Sequence, residues 1–119
     1  MQLRMNSYAL INGLHYNISK MFCVKIHVRE GEVLVAACDR ELLGKTLSAG
    51  ELEFHVNERF YGGEVKDAGE LRDILAAATI ANLVGNRAVE AAIAFGHVNP
   101  ECTLSIGGVK HAQFAIMED

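Results

Sequence analysis

The residues best equipped for chemistry in this chain are three cysteines, five histidines and the tripeptide Gly44-Lys45-Thr46. None stands at the spacing a diagnosable chemistry needs. Cys23, Cys38 and Cys102 are an odd number at wide intervals with no CxxC, which suits neither a secreted disulfide framework nor a structural zinc knuckle. The set Cys23, Cys38, Cys102 and His111 could meet around a metal only if distant strands converged, and no short HExxH-type spacing occurs, so neither metal nor cofactor is expected. As a thiol nucleophile Cys38 has the wrong neighbour, because the Asp39 carboxylate raises a thiol pKa; Cys102 with His111 is the better pair. Gly44-Lys45-Thr46 resembles the end of a phosphate loop, but Asp39 occupies the position of the required earlier glycine and would repel phosphate.

Two surfaces are chemically richer. Lys25, His27 and Arg29 alternate along one strand-like segment and form a candidate basic patch. Tyr61, Gly62 and Gly63, together with Gly107, Gly108, His111 and Gln113, form a candidate binding surface in which a ring and polar side chains flank exposed backbone amides. If the last strand pairs near the first, Tyr61, Lys110, His111 and Gln113 are expected to border the basic patch. A tight turn satisfies the same glycines, and that purely local reading stands beside the functional one.

The elements that must position these residues follow from periodicity. Met21 to Arg29 alternates Phe22, Val24, Ile26 and Val28 against Cys23, Lys25, His27 and Arg29, which predicts a strand with those four apolar residues buried. Glu30-Gly31 turns the chain into a second strand, Glu32 to Cys38. A two-residue loop sets Cys23 opposite Cys38 and His27 opposite Leu34; a three-residue loop sets Cys23 opposite Ala37. Asp39 is read as capping a short turn over Arg40 to Leu43, stopped by Gly44. Leu47 to Gly50 reads as a loop and Glu51 to Val56 as a strand with Leu52, Phe54 and Val56 inward; regularity breaks at Phe60 to Gly63 before a short Glu64 to Lys66 extension.

Asp67 and Glu70 stand at capping-box spacing before a helix expected from Ala68 to about Leu83, ended by Gly85. A second helix, Arg87 to Phe95, is expected with Asn86 as its cap and Gly96 at its end. Thr103 to Ile106 and Lys110 to Met117 read as strands around Gly107-Gly108. The order implies an α+β fold of two layers, a mostly antiparallel sheet with a central pair of helices packed on one face.

At 119 residues the chain has material for one core, so residues 21–119 are read as a single domain. Residues 1–20 show no period and precede a second methionine, Met21; they read either as an N-terminal extension dispensable for folding or as a start assigned too early. A net charge of −4 opposes whole-body nucleic-acid binding and leaves room only for a local patch. The most apolar tract, Leu71 to Phe95, is interrupted by Arg72, Asp73, Asn82, Asn86, Arg87 and Glu90, and the N-terminus lacks a signal-peptide core. Neither export nor a membrane span is expected, and the localisation is read as cytoplasmic. The two helices have helix-turn-helix lengths, but the second offers Glu90, alanines and Ile93, poor material for reading bases, so a packed helical hairpin is expected.

Four motifs in order, Cys38-Asp39-x-x-Leu42-x-Gly44-Lys45, Phe60-Tyr61-Gly62-Gly63, Thr79-x-Ala81-Asn82-x-x-Gly85 and Ile106-Gly107-Gly108-Val109-x-His111-Ala112-Gln113, resemble the DUF424 family of short archaeal proteins of unknown function. The resemblance spans about residues 21–113. It implies an archaeal cytosolic source and a start at Met21, and it brings no catalytic residues with it. The expectation is a small non-enzymatic binding or adaptor protein with a protein partner. The alternatives are an RNA or ribonucleoprotein-associated protein with a translation link, for which a tyrosine and histidine among bases are suitable chemistry, and a small enzyme with a glycine-lined polar pocket.

Overall fold

The computed structural model describes residues 8–11, 14–17 and 20–116. Its centre is a six-stranded sheet built from β3 (Phe22–Arg29), β4 (Glu32–Asp39), β7 (Glu64–Lys66), β8 (Ile80–Val84), β9 (Thr103–Ile106) and β10 (Val109–Ala115) in the order β7-β3-β4-β8-β10-β9. Every neighbouring pair is antiparallel except β4 and β8, which run parallel. Two separate hairpins, β1 (Tyr8–Ile11) with β2 (Leu14–Asn17) and β5 (Thr46–Ala49) with β6 (Leu52–His55), complete the strands. Helices α2 (Ala68–Ala76) and α3 (Asn86–Ala94) cover one face; α1 (Glu58–Tyr61) and the β5–β6 hairpin cover part of the other. The α+β class with a mostly antiparallel sheet and two helices on one face is therefore what the residues build.

The β3–β4 hairpin closes on Glu30 and Gly31, both at positive φ (51° and 82°), the two-residue geometry that matches strand twist. Its register sets Cys23 opposite Cys38 and His27 opposite Leu34. Pleating sends Phe22, Val24, Val35 and Ala37 to the helix face, where they meet Leu71, Leu75, Ala88 and Val89. Burying Leu71 or Leu75 contributes about 1.5–3 kcal/mol each. The hairpin outruns this cover. Ile26 and Val28, expected inside, are 48 % and 71 % exposed and lie outside the cluster that Phe22 and Val24 form with α2 and α3.

Residues 80–84 depart most from the expected layout. The helix that periodicity extends to Leu83 stops at Ala76, and Ile80–Val84 is a central strand. The capping box begins α2 as expected, with Glu70 N donating to Asp67 Oδ1 at 2.7 Å and Asp67 N to Glu70 Oε1 at 3.0 Å. What stops it is long-range: Thr79 N donates to Val33 O at 2.8 Å, and Val33 N donates to Thr79 Oγ1 at 2.8 Å, locking the chain onto β4. Ala81 and Leu83 then fill the helix-side core while Asn82 and Val84 face the opposite side. A strand buried on both faces reads as a near-continuous apolar run, which periodicity cannot separate from a buried helix. The packed helical hairpin expected of the two helices is consequently not formed, and neither is a helix-turn-helix, since a strand lies between them.

Other local readings also change. Thr46–Ala49 is a strand and not a loop, Leu52 at its hairpin is 58 % exposed, and Glu58–Tyr61 is a single helical turn capped by Asn57. The last strand runs Val109–Ala115; the end expected for it at residue 117 lies outside the described residues. The expectation that residues 1–20 are an extension falls partly outside the described residues as well; Tyr8–Ile11 and Leu14–Asn17 pair with each other and not with the main sheet.

Candidate functional site

Across the face opposite α2 and α3, register places Lys25, Ala36, Asn82 and Gln113 in one row and Cys23, Cys38, Val84 and His111 in the next. Over these rows lies the segment from β6 through α1. Asn57 starts that turn by accepting Arg59 N at 2.8 Å and Phe60 N at 3.0 Å, which aims two consecutive aromatics at the sheet. Between the segment and the sheet runs a groove of about 550 Å³ lined by His27, Phe54, Arg59, Phe60, Tyr61 and Asn82, with His55 and Asn57 at its margin.

Two of its lining residues, Tyr61 and Asn82, belong to a polar triad completed by His111 behind them. Tyr61, 2 % exposed, donates its hydroxyl to Asn82 Oδ1 at 2.5 Å, and His111 Nε2 lies 3.2 Å from the same oxygen. An amide oxygen only accepts, so His111 carries its proton on Nε2 and donates. Burial lowers the His111 pKa and keeps the ring neutral, while burial first and the Cys38 thiol second push the Tyr61 phenol up, so it keeps its proton. Phe54 packs over His111 with ring centroids 5.6 Å apart. The triad therefore fixes donors and rings in place and leaves no base of raised reactivity.

Its wall is a stacked pair. His27 and Phe60 lie with centroids 5.1 Å apart and planes at 22°, and His27 Nε2 sits 3.0 Å from Phe60 O, so Nε2 donates and the ring is held in orientation. Arg59 is exposed at the rim, and neither it, Lys25 nor Arg29 forms an ion pair among the described residues. The groove thus offers aromatic faces beside uncommitted cations. Gln113 is exposed opposite Asn82 in register.

Of the residues singled out from sequence, the fold brings His27 and Tyr61 to this groove, places His111 behind it against Asn82, and sets Lys25 and Gln113 in the row of Asn82. Lys110 does not border the groove: its ammonium pairs with Glu90 of α3 on the helix face. The glycine pairs do not line the groove, and their own surroundings account for them. A Cβ on Gly63 would stand 2.2 Å from Val24 O, one on Gly62 2.3 Å from Glu58 O, and one on Gly107 2.4 Å from Ser48 O. Gly107 and Gly108 take φ of 57° and 81° in the β9–β10 turn.

The three cysteines meet no catalytic partner or metal-ligand set among the described residues. Cys23 and Cys38 face each other as free, buried thiols, and burial pushes Cys38 up to about 12. Cys102 is exposed in the turn before β9, while His111 is engaged by Asn82. Among the described residues no group of three His, Cys, Asp or Glu side chains converges as metal ligands do. Gly44 is a turn residue at φ 83°.

Asp39 does not cap the turn after β4. It is 4 % exposed and reaches α3, accepting Arg87 N at 3.1 Å and Ala88 N at 2.8 Å. Asn86, expected as that cap, is the first residue of α3 and accepts Lys110 N at 2.8 Å instead.

Sequence reasoning missed Asn82, Phe54 and Arg59. A polar residue inside the apolar run 80–84 was the available signal for Asn82, because a central strand tolerates one only with partners. Phe54 was legible as an inward residue, but nothing local set it over His111, and Arg59 carries no local mark at all.

The family model described as protein of unknown function DUF424 matches residues 27–117. No curated protein matches the chain. Among solved structures, the crystal structure of an uncharacterized conserved protein from Methanopyrus kandleri is similar, with a TM-score of 0.68 at 25% identity over 82% of this chain and 95% of that one. The matched stretch begins at His27 and takes in every residue that lines the groove. On that span the chain belongs to the DUF424 family.

Proposed function

We propose that the protein is a non-enzymatic RNA-binding module whose groove stacks unpaired bases against the His27–Phe60 pair. The stacked pair at an open groove, beside cations with no partner among the described residues, carries this reading. Single strands are gripped by rings that accept any base face and by basic groups that follow the backbone. Arg59 at the rim and Lys25 and Arg29 along β3 supply those charges. The net charge of −4 is compatible with a local grip, since screening confines each charge to about a Debye length, roughly 8–10 Å. Against an enzyme, no lining residue is a carboxylate or a thiol, and the Tyr61 and His111 protons are held by Asn82. A cytoplasmic setting belongs to this reading and suits the free thiols of Cys23 and Cys38, which face each other.

The test is fluorescence anisotropy with labelled single-stranded oligo(U) and oligo(A). Binding should weaken steeply with added salt, and Phe60→Ala should weaken it about 5- to 100-fold, as loss of one stacked base implies. Absence of salt-dependent binding, or full binding by Phe60→Ala, contradicts the proposal.

A further inference from the structure

We infer that the outer edge of β3 from Lys25 to Arg29 is a docking site for an extended peptide that alternates acidic and apolar side chains. This edge shares Lys25 and Arg29 with the rim of the groove, but its unpaired backbone and its apolar side chains do not depend on the RNA reading. β7 pairs only with Phe22, Cys23 and Val24, and the chain leaves the edge at Gly63. In a hairpin closed by a two-residue loop, Arg29 and Glu32 exchange hydrogen bonds, so alternation turns the N–H and C=O of Val28 and Ile26 outward. No described residue bonds those groups. They form a short template for an added strand.

The side chains along the edge specify what the strand carries. On the helix face Ile26 and Val28 are 48 % and 71 % exposed, and where β7 ends a cleft of about 250 Å³ opens among Val24, Ile26, Gly63, Glu64, Lys66 and Ile74, with the Glu64 carboxylate 3.8 Å from the Lys66 ammonium. An apolar side chain on the incoming strand would rest against Ile26, and the next apolar one, two residues along on the same face, would enter the cleft. On the opposite face Lys25 and Arg29 have no ion pair among the described residues, which favours acids at the alternate positions. A second copy of the chain fits less well, because antiparallel pairing about His27 sets Lys25 of one copy against Arg29 of the other, like charge directly opposite like. Edge charges commonly serve only to prevent pairing, but here they alternate with exposed apolar residues and do not replace them.

The probe is a blocked synthetic peptide of about four Glu-Val repeats, long enough to span the edge, with a Lys-Val peptide of equal length as control. Titrated into the isotope-labelled full chain, the Glu-Val peptide should bind saturably, shift resonances of β3 and Gly63, and slow amide exchange at Ile26 and Val28. Ile26→Lys, which leaves the backbone able to pair, should weaken it by about tenfold or more, as should Val28→Pro, whereas Leu104→Lys on β9 should leave it unchanged. Phe60→Ala should bind the peptide normally, which separates this outcome from any failure of RNA binding. No saturable binding, a footprint elsewhere, equal affinity for the Lys-Val peptide, or a concentration-dependent dimer that buries this edge overturns the inference.

Discussion

Asn82 Oδ1 receives two donors, the Tyr61 hydroxyl and His111 Nε2, from elements that approach it from opposite directions. Each partner is desolvated, so the network specifies geometry and makes protonation of His111 unfavourable. The sign of the pH effect follows from that. The folded-state pKa is depressed below its ordinary 6.5, so as pH falls through 6.5 the unfolded chain takes up the proton first and stability is lost; above 6.5 the contribution is constant. Urea midpoints measured from about pH 7.5 down to about pH 5.5 should decline, and His111→Gln, which keeps an N–H donor, should decline less over that window. Equal slopes for the two proteins would mean that His111 titrates as it does in the unfolded chain. Tyr61 and His111 were legible as chemistry-bearing residues, but the atom that unites them was not, because Asn82 sat in a stretch whose periodicity also fits a helix.

At the scale of elements, one carboxylate ties the end of β4 to the start of α3. Gly85, at φ 120°, precedes the helix without a side chain of its own, and a Cβ there would stand 2.3 Å from the Asp39 carboxyl carbon. Asp39 therefore supplies the acceptors that an ordinary cap would provide. Burial raises its pKa while the Arg87 and Ala88 amides oppose the rise, so ionised Asp39 is held at some cost. Asp39→Ala should destabilise by about 1–2 kcal/mol in urea unfolding, and Asp39→Asn, which keeps an acceptor without a charge to bury, by less. An alanine variant as stable as the wild type would show that α3 does not rely on this cap. The contrast in legibility is physical. The Asp67–Glu70 box, the Glu30-Gly31 turn and the Gly107-Gly108 turn use partners a few residues apart, and each was readable. Asp39 finds its amides 48 and 49 residues away and Thr79 meets Val33 46 residues away, distances over which local spacing carries no information.

At the scale of the molecule, one sheet separates two kinds of surface. Its helix face is filled by Leu71, Leu75, Val89 and their partners except at the Ile26–Val28 end of β3. Its other face is only partly roofed, by one hairpin and one helical turn, and the gap is where rings and free cations collect. The α+β layout was legible from strand alternation and the two helix patterns, whereas the roof was not, because Thr46–Ala49 and Glu58–Tyr61 are too short to show a period. The groove as an RNA site is the central claim, and titration of unlabelled oligo(U) into isotope-labelled full chain, followed residue by residue in NMR spectra, tests it most directly. The account predicts shifts concentrated at His27, Arg59, Phe60 and Asn82, with α2 and α3 still. Shifts spread over the helix face, or none at these four residues, would contradict it.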